Sequence, residues 1–248
     1  MAINDMKLTF EEKITRESYD KIAKRWSDKN GAVTIWNKEI KTFLKLLGKG
    51  KILEIGSGSG RDAEIFVKAG YGYIGTDVSS ALLKIARKRV PGAIFLEQSV
   101  CELNFPKETR FDGFWTSMTL LHISKNRIDQ ALQQIKKFVK NRGVGFISIK
   151  EGMGEKMESK TADYGSDDKR FFSYYSKEEF ENILLRNGFQ IIKIKSLKLG
   201  GKPNFLCFLC AWLSRRIASL CIIAQNRCEH RLPDDPASKS RPKGGFLV

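Results

Sequence analysis

Three glycines at alternate positions constrain the fold of this chain more than any other feature of its sequence. They occupy positions 56, 58 and 60 of the stretch ILEIGSGSGRDA and directly follow a short apolar run. Glycine weakens both helices and strands, so such a cluster marks a backbone path that side chains would block. An acid, Glu54, lies four residues before the middle glycine. What such a turn can bind depends on the elements that flank it.

Apolar runs alternate with helical periodicities along the chain. Strand patterns are predicted at 51–55, 71–77, 93–99, 111–117 and 143–150. Helical patterns are predicted at 17–29, 35–47, 61–70, 79–90 and 126–141. Strands and helices that alternate at this spacing are typical of parallel βαβ units. We therefore expect an α/β fold with a doubly wound, mostly parallel sheet.

In that fold the glycine turn lies at the carboxyl edge of the sheet, where open α/β proteins bind ligands. The next acid at a strand end is Asp77, 21 residues after Gly56. A carboxylate there can accept hydrogen bonds from both hydroxyls of a ribose. A dinucleotide is one candidate ligand, but its usual motif is G-x-G-x-x-G, and Arg61 replaces the third glycine. Glu54 also suits a cationic ligand better than a pyrophosphate, which favours S-adenosylmethionine.

These motifs resemble those of the class I S-adenosylmethionine-dependent methyltransferases, in particular the small-molecule type. LEIGSGSGRDA resembles the first family motif, GTDVS the second and FDGFWTSMTLLHIS the fourth, and the resemblance covers roughly residues 15 to 210. It implies a Rossmann-like, seven-stranded, mostly parallel sheet with a final antiparallel hairpin and an N-terminal helical lid. It also implies S-adenosyl-L-methionine as the cofactor. The segment 170–189 is expected to supply a lid-side segment and a helix before that hairpin.

The resemblance implies a set of cofactor-binding residues along one edge of the sheet. Asp77 is expected to bind the ribose hydroxyls, and Val78 is expected to pack on the adenine. The family commonly has aspartate where this chain has Ser99, so adenine recognition is expected to depend more on the backbone near Val100. The full expected set is Glu54, Gly56, Ser57, Gly58, Asp77, Val78, Ser99, Val100 and Thr116.

A sulfonium already activates its methyl group, so the enzyme has to align the acceptor and exclude water. If a general base is needed, His122 is the candidate, because it follows the fourth strand of the nucleotide-binding pattern. The alternative is a histidine at a helix start that bonds to backbone. Four aromatic residues are expected to line the substrate pocket, although core packing is the more common role of any single one. They are Tyr19, Trp26, Tyr174 and Tyr175.

The net charge of +16 raises the alternative of a nucleic-acid substrate. Residues 193–248 hold 11 basic against 3 acidic residues, which is half of the excess, and the remainder is spread without one dense block. Diffuse basicity is more typical of a solvated surface than of an RNA-binding groove. YDKIAKRW loosely resembles tRNA wobble-uridine enzymes, so an RNA (tRNA)-modifying methyltransferase remains the alternative. A non-catalytic cofactor-binding module is the second alternative.

Five cysteines raise the question of a metal site. Cys207 and Cys210 form a C-x-x-C, and Cys221, Cys228 and His230 follow, which could be read as a zinc set. However, NFLCFLCAWL is apolar throughout and is predicted to be the last strand, on which residues three apart point to opposite faces. We therefore expect buried free cysteines and no metal.

The predicted organisation is a helical lid at 1–47, a methyltransferase domain at 48–212 and a basic, partly disordered extension at 213–248. The most apolar stretch, 204–224, contains Arg215 and Arg216 and falls short of a membrane span of about 20 residues. No secretory signal is visible at the start, so a cytoplasmic location is expected. The predicted acceptor is a small molecule, and the oligomeric state is left open.

Overall fold

The computed structural model describes residues 7–31, 34–159, 168–198 and 204–213. Six helices and nine strands are described within these ranges. The helices are α1 (Phe10–Asn30), α2 (Asn37–Leu47), α3 (Arg61–Lys68), α4 (Ser80–Arg89), α5 (Ile128–Phe138) and α6 (Lys177–Arg186). The strands are β1 (Lys51–Ile55), β2 (Gly72–Asp77), β3 (Ile94–Glu97), β4 (Phe111–Ser117), β5 (Val139–Glu151), β6 (Glu155–Ser159), β7 (Lys169–Tyr175), β8 (Phe189–Leu197) and β9 (Phe205–Trp212).

The sheet has the doubly wound topology that the sequence predicts. Strands β3, β2, β1, β4 and β5 lie side by side and pair in parallel. β9 then pairs antiparallel with β5 along most of its length, and β8 pairs antiparallel with β9. The order of the strands reverses at β1 and β4, since β2 and β3 are added on one side of β1, and β4 and β5 on the other, and the carboxyl ends of β1 and β4 are therefore the expected ligand site.

Two strands were not predicted as part of the sheet. β6 and β7 form an antiparallel hairpin, and the end of β7 pairs in parallel with the end of β5 through Lys150 and Glu151. The hairpin raises the strand count from the expected seven to nine. The predicted helix at 126–141 is also shorter, because the chain pairs with Phe111 of β4 from Val139 onwards.

Two apolar clusters cover the two faces of the sheet. The first contains α5 and α6 residues such as Leu132 and Phe180. The second contains α2, α3 and α4 residues such as Phe43, Phe66 and Leu83. Burying these large side chains is the main contribution to fold stability, at about 1.5 to 3 kcal/mol for each Leu, Ile or Phe.

β9 separates the C-x-x-C cysteines as predicted. Cys207 packs in the cluster with α2, whereas Cys210 packs in the cluster with α5, so the two thiols lie on opposite faces of the sheet. Both are buried and free, as is Cys101. Among the described residues no group of His, Cys, Asp and Glu has the arrangement of a metal site. Cys221, Cys228 and His230 lie outside the described ranges.

Helix α1 begins at a capping box and lies across one end of the sheet. The Thr9 hydroxyl accepts a hydrogen bond from the Glu12 backbone, and the Glu12 carboxylate accepts one from the Thr9 backbone. Glu12 also binds Arg127 through both carboxylate oxygens at 2.7 Å, which joins α1 to the start of α5. Of the helices in the described ranges, none is long and apolar enough to cross a membrane.

Candidate cofactor and acceptor site

The glycine turn between β1 and α3 takes the path that its sequence predicts. Gly56 has φ +72° and Gly58 has φ +53°, a region that side chains rarely adopt. A Cβ atom at Gly56 would collide with the side chain of Thr119, which lies in the turn after β4. At Gly58 a Cβ atom would lie 3.4 Å from the indole of Trp26. Glycine is therefore required at position 56 by both conformation and close approach, and at position 58 by conformation.

Asp77 lies at the end of β2 and faces this turn. Its Oδ2 accepts a hydrogen bond from the Gly58 backbone N–H at 2.8 Å, and its Oδ1 accepts one from the Ser79 N–H at 2.9 Å. Burial raises the pKa of Asp77 from 3.8 to about 6, although these backbone hydrogen bonds oppose the rise. The sequence thus brings the glycine turn and the acid of β2 into direct contact.

Glu54 is buried below the turn and accepts a hydrogen bond from the Tyr73 hydroxyl. Burial first, and the nearby Asp62 carboxylate second, raise the pKa of Glu54 well above its usual range. Asp62 is itself buried and accepts a hydrogen bond from the Trp115 indole at 3.1 Å. Three carboxyl groups therefore lie around the turn, and a ligand that carries positive charge would favour their ionised forms.

Helix α1 is tied to the same edge of the sheet by Asp20. Asp20 Oδ1 accepts hydrogen bonds from the Ser79 hydroxyl at 2.6 Å and from the Ala81 backbone N–H at 3.1 Å. These two residues lie at the start of α4, directly after the strand that ends in Asp77. The contact holds α1 over the ligand edge of the sheet.

A cavity of about 460 Å³ lies beneath α1 and reaches from the glycine turn to β7. This volume is within the usual range for small-molecule sites, roughly 300 to 1,000 Å³. Most of the sequence-predicted site residues line it. They are Tyr19, Trp26, Glu54, Gly56, Ser57, Gly58, Asp77, Val78, Ser99, Val100 and His122.

Three predicted site residues do not line the cavity. Thr116 is fully buried within β4, and its neighbour Ser117 lines the cavity instead, because side chains alternate along a strand. Tyr175 packs against Phe180 in the core cluster on the other face of the sheet, so its placement in the pocket was wrong. Tyr174 lies beside the cavity lining, where its hydroxyl bonds to the Glu158 carboxylate.

His122 and Tyr19 meet in the part of the cavity that lies next to β7. The Tyr19 hydroxyl lies 3.0 Å from His122 Nε2, and His122 Nδ1 lies 2.6 Å from the Phe171 carbonyl oxygen. A carbonyl can only accept, so Nδ1 carries the proton and Nε2 accepts from Tyr19. Burial, and then the nearby cations of Arg170 and Lys150, lower the pKa of His122 to about 3. His122 is therefore neutral near pH 7 and bonded on both nitrogens.

Four residues that line the cavity near His122 were not predicted from the sequence. Lys150 is the penultimate residue of β5, Arg170 and Phe172 belong to β7, and Phe205 begins β9, and all four line the cavity. Lys150 could have been found, since it is a polar residue at the end of a predicted strand. The other three depend on the pairing of β7 and β9 with β5, which no local sequence pattern indicates.

The residues at the glycine turn fit S-adenosylmethionine. The Gly56 and Gly58 backbone forms a cradle that Cβ atoms would fill or distort. The buried hydroxyls of Ser59 and Ser117 line the cavity and have no hydrogen-bond partner within the described part of the chain. Such buried hydroxyls are normally bonded, so they are available to the polar groups of a ligand.

A turn after β4 completes the site with an unusual backbone conformation. Met118 has φ +57°, which is rare outside glycine, and its N–H donates to the Ser148 hydroxyl at 2.9 Å. The next residue, Thr119, donates its hydroxyl to the Ile55 carbonyl at 3.0 Å, next to the glycine turn. Strained backbone that neighbouring groups hold in place is common at functional sites.

Comparison with known proteins identifies the same motifs. The sequence profile of a family described as "Methyltransferase domain" matches residues 52–143. An uncharacterized protein of Methanocaldococcus jannaschii is 31% identical over 184 residues, covering 71% of this chain and 80% of the relative. An uncharacterized methyltransferase of Oceanobacillus iheyensis is 29% identical over 111 residues, covering 44% of this chain and 50% of that protein.

Solved structures share the fold at low sequence identity. One is the Burkholderia thailandensis 1,6-didemethyltoxoflavin-N1-methyltransferase with bound 1,6-didemethyltoxoflavin and S-adenosylhomocysteine, with TM-score 0.66, 18% identity, and coverage of 86% of this chain and 95% of that chain. Another is the magnesium protoporphyrin IX methyltransferase of Synechocystis PCC 6803 with bound S-adenosylmethionine, with TM-score 0.60, 15% identity, and coverage of 83% and 99%. This chain belongs to the class I methyltransferases, and it is an enzyme that uses S-adenosyl-L-methionine as its cofactor.

Proposed function

We propose that this enzyme methylates a small molecule bound in the cavity beneath α1. The observation that carries the proposal is the continuity of one cavity, which is lined by the glycine turn and Asp77 at one end and by His122 and Phe172 at the other. Such a cavity can enclose a small acceptor next to the cofactor and exclude water. The Burkholderia relative, whose structure contains a small-molecule acceptor, supports the same class of substrate.

The cofactor supplies a methyl group that its sulfonium activates. In the proposal, Asp77 binds the ribose hydroxyls, and Val78 and Val100 pack against the adenine. Ser99 is held by a hydrogen bond that its hydroxyl accepts from the Cys101 backbone at 3.2 Å. It therefore shapes the loop near the adenine and adds no charge.

The acceptor is positioned by the groups at the other end of the cavity. Tyr19 and His122 form a neutral pair whose hydrogen bonds fix the Tyr19 hydroxyl. We propose that this pair orients the atom that receives the methyl group. Catalysis then depends chiefly on alignment and on the exclusion of water, with no ionised general base. The buried free cysteines suit a reducing compartment, and we propose the cytoplasm.

The alternative acceptor is RNA, which the net charge of +16 favours. Transfer of a radioactive methyl group to a whole cell extract, followed by separation into metabolites, RNA and protein, distinguishes the two. We expect the label in the metabolite fraction. Label in the RNA fraction that ribonuclease releases would contradict the small-molecule proposal.

A further inference from the structure

Two buried cations lie at the acceptor end of the cavity. Lys150 is 7% exposed and Arg170 is 5% exposed, and both line the cavity. Lys150 lies opposite Phe205 on one neighbouring strand and opposite Tyr174 on the other. Buried lysine and arginine are uncommon because removing their charge from water is costly, so two of them lining one cavity mark its positive charge as a feature of the ligand site.

Aromatic rings flank both cations. The ammonium of Lys150 lies 3.4 Å from the centre of the Phe172 ring, and the Arg170 guanidinium lies 5.9 Å from it. Arg170 also lies 5.2 Å from the Tyr19 ring. Two positive charges and a set of apolar ring faces are thus presented to the same part of the cavity. This combination fits a flat ligand with a negative group.

The carboxylates that form ion pairs with these cations belong to residues that do not line the cavity. Asp168 is 2.9 Å from Arg170, and Glu158 is 3.5 Å from Lys150, but neither carboxylate residue lines the cavity. Glu12 does line this end, yet both of its oxygens are bonded to Arg127. Burial is the main cause of the low pKa of His122, and the positive charges of Arg170 and Lys150 lower this pKa further.

We propose that the methyl acceptor is an aromatic small molecule bearing an oxyanion, a carboxylate or a phosphate, which binds to Lys150 and Arg170. Its ring lies against Phe172, and the atom that receives the methyl group is a different part of the molecule. An oxyanion in this position gains charge-assisted hydrogen bonds, which are about twice as strong as neutral ones. The inference rests on the proposed small-molecule acceptor and specifies its chemical class.

The charge of the methylated product tests the proposal with the wild-type enzyme. A metabolite extract is incubated with radioactive S-adenosylmethionine, and the labelled product is passed over an anion exchanger at neutral pH. We expect the product to be retained, because its anchoring group keeps its charge. A neutral or cationic labelled product would overturn the inference and leave the proposed function standing. Absence of label from the metabolite fraction, with label in RNA or protein, would overturn both.

Alkaline phosphatase then separates the two sources of negative charge. If the retained product loses its affinity for the exchanger after treatment, the anchor is a phosphate monoester. If it stays bound, the anchor is a carboxylate. Both results support an oxyanion anchor, and each specifies which one the enzyme binds.

Charge removal at Lys150 tests the placement of the anchor. We expect Lys150→Met to raise the KM for the labelled acceptor about ten- to hundredfold, since a hydrogen bond to a charged group is lost. Affinity for S-adenosylhomocysteine should be unchanged, which also shows that the variant folds. Lys150→Arg should recover most of the loss.

Lys156→Met is the matched control, because it removes the same charge from an exposed lysine on β6 that does not line the cavity. Its KM should equal that of the wild type. An unchanged KM in Lys150→Met, or an equal rise in both variants, would contradict the assignment.

Discussion

Asp77 is held in position by the protein itself, because each of its carboxylate oxygens accepts one backbone hydrogen bond. A carboxylate oxygen has two acceptor sites, so each can accept a further bond from a ribose hydroxyl. The same residue therefore shapes the glycine turn and presents its carboxylate at the proposed ribose site. Among the predicted cofactor residues it is the one with both roles.

Substitution of Asp77 should weaken cofactor binding more than any other single change. We expect Asp77→Ala to lower the affinity for S-adenosylhomocysteine about ten- to hundredfold, because hydrogen bonds to a charged group are lost. Asp77→Asn should have an intermediate effect, and Ser99→Ala a much smaller one, when measured by titration calorimetry. A loss in Ser99→Ala as large as that in Asp77→Ala would refute the ribose assignment.

The raised pKa of Asp77 predicts a pH dependence of cofactor binding. Burial places this pKa at about 6 in the free protein, so the group is largely ionised at pH 7 and protonated below pH 6. Only the ionised form accepts from both hydroxyls, so affinity should be constant above this pKa and fall as the pH drops through it. Asp77→Asn should abolish the change in this range. Parallel pH curves for the wild type and Asp77→Asn would contradict the role of the carboxylate.

The Tyr19–His122 pair predicts that the reaction needs no titrating histidine. Because the pKa of His122 is lowered to about 3, its charge does not change near the usual histidine value of 6.5. We expect kcat to show no histidine inflection around neutral pH and Tyr19→Phe to lower kcat while leaving the affinity for S-adenosylhomocysteine unchanged. An inflection near pH 6.5 that disappears in His122→Gln would show that His122 acts as a general base.

The position of a residue could be predicted from the sequence where it depends on local geometry. The glycine turn directly follows β1 and Asp77 ends β2, so their place at the sheet edge follows from the alternation of strands and helices. Tyr174 and Tyr175 were misplaced because the register of β7 decides which face each side chain occupies. Arg170 was missed for the same reason.

At the level of elements, α1 is coupled to the cofactor edge through Asp20. Asp20→Ala removes two hydrogen bonds at the start of α4, so we expect a loss of about 1 kcal/mol in the free energy of unfolding. S-adenosylhomocysteine should also dissociate faster, because α1 carries Tyr19 and Trp26 over the cavity. Denaturant unfolding and stopped-flow release measure the two effects.

Asp28→Ala is the control for this prediction. Asp28 lies on the same helix and forms an exposed ion pair with Lys24, four residues away. Exposed pairs of this kind contribute about 0.3 to 0.5 kcal/mol to the free energy of unfolding. This pair joins two residues of α1 and does not join α1 to α4. Equal dissociation rates in Asp20→Ala and Asp28→Ala would show that the α1–α4 contact does not retain the cofactor.

The helices and strands that were predicted have a regular apolar pattern in their sequence, and those that were not predicted lack such a pattern. β4 was predicted with its observed bounds, because its apolar run is buried on both faces. β6 reads EKMES and is mostly exposed, so its sequence carries no strand pattern, and it forms only by pairing with β7. Such nonlocal pairing is decided by the whole fold.

For the whole molecule, removing basic residues beyond position 192 distinguishes a small-molecule acceptor from an RNA acceptor. If the acceptor is a small molecule, a chain that ends at Ala224 should keep full methyl transfer and show little dependence on salt. If the acceptor is RNA, association should weaken steeply between low and moderate salt, since each phosphate contact releases counterions. Activity assays of both chains at two salt concentrations measure this. Loss of activity in the shorter chain, together with a steep salt dependence, would favour RNA.

The central claim is that the glycine turn and Asp77 form a site for S-adenosylmethionine and not for a dinucleotide. Titration calorimetry of the full chain with S-adenosylmethionine, S-adenosylhomocysteine and NAD tests it most directly. We predict one site that binds the first two ligands and binds NAD more weakly, because Arg61 replaces the glycine that a pyrophosphate requires. Tighter binding of NAD than of either sulfur ligand would contradict the account.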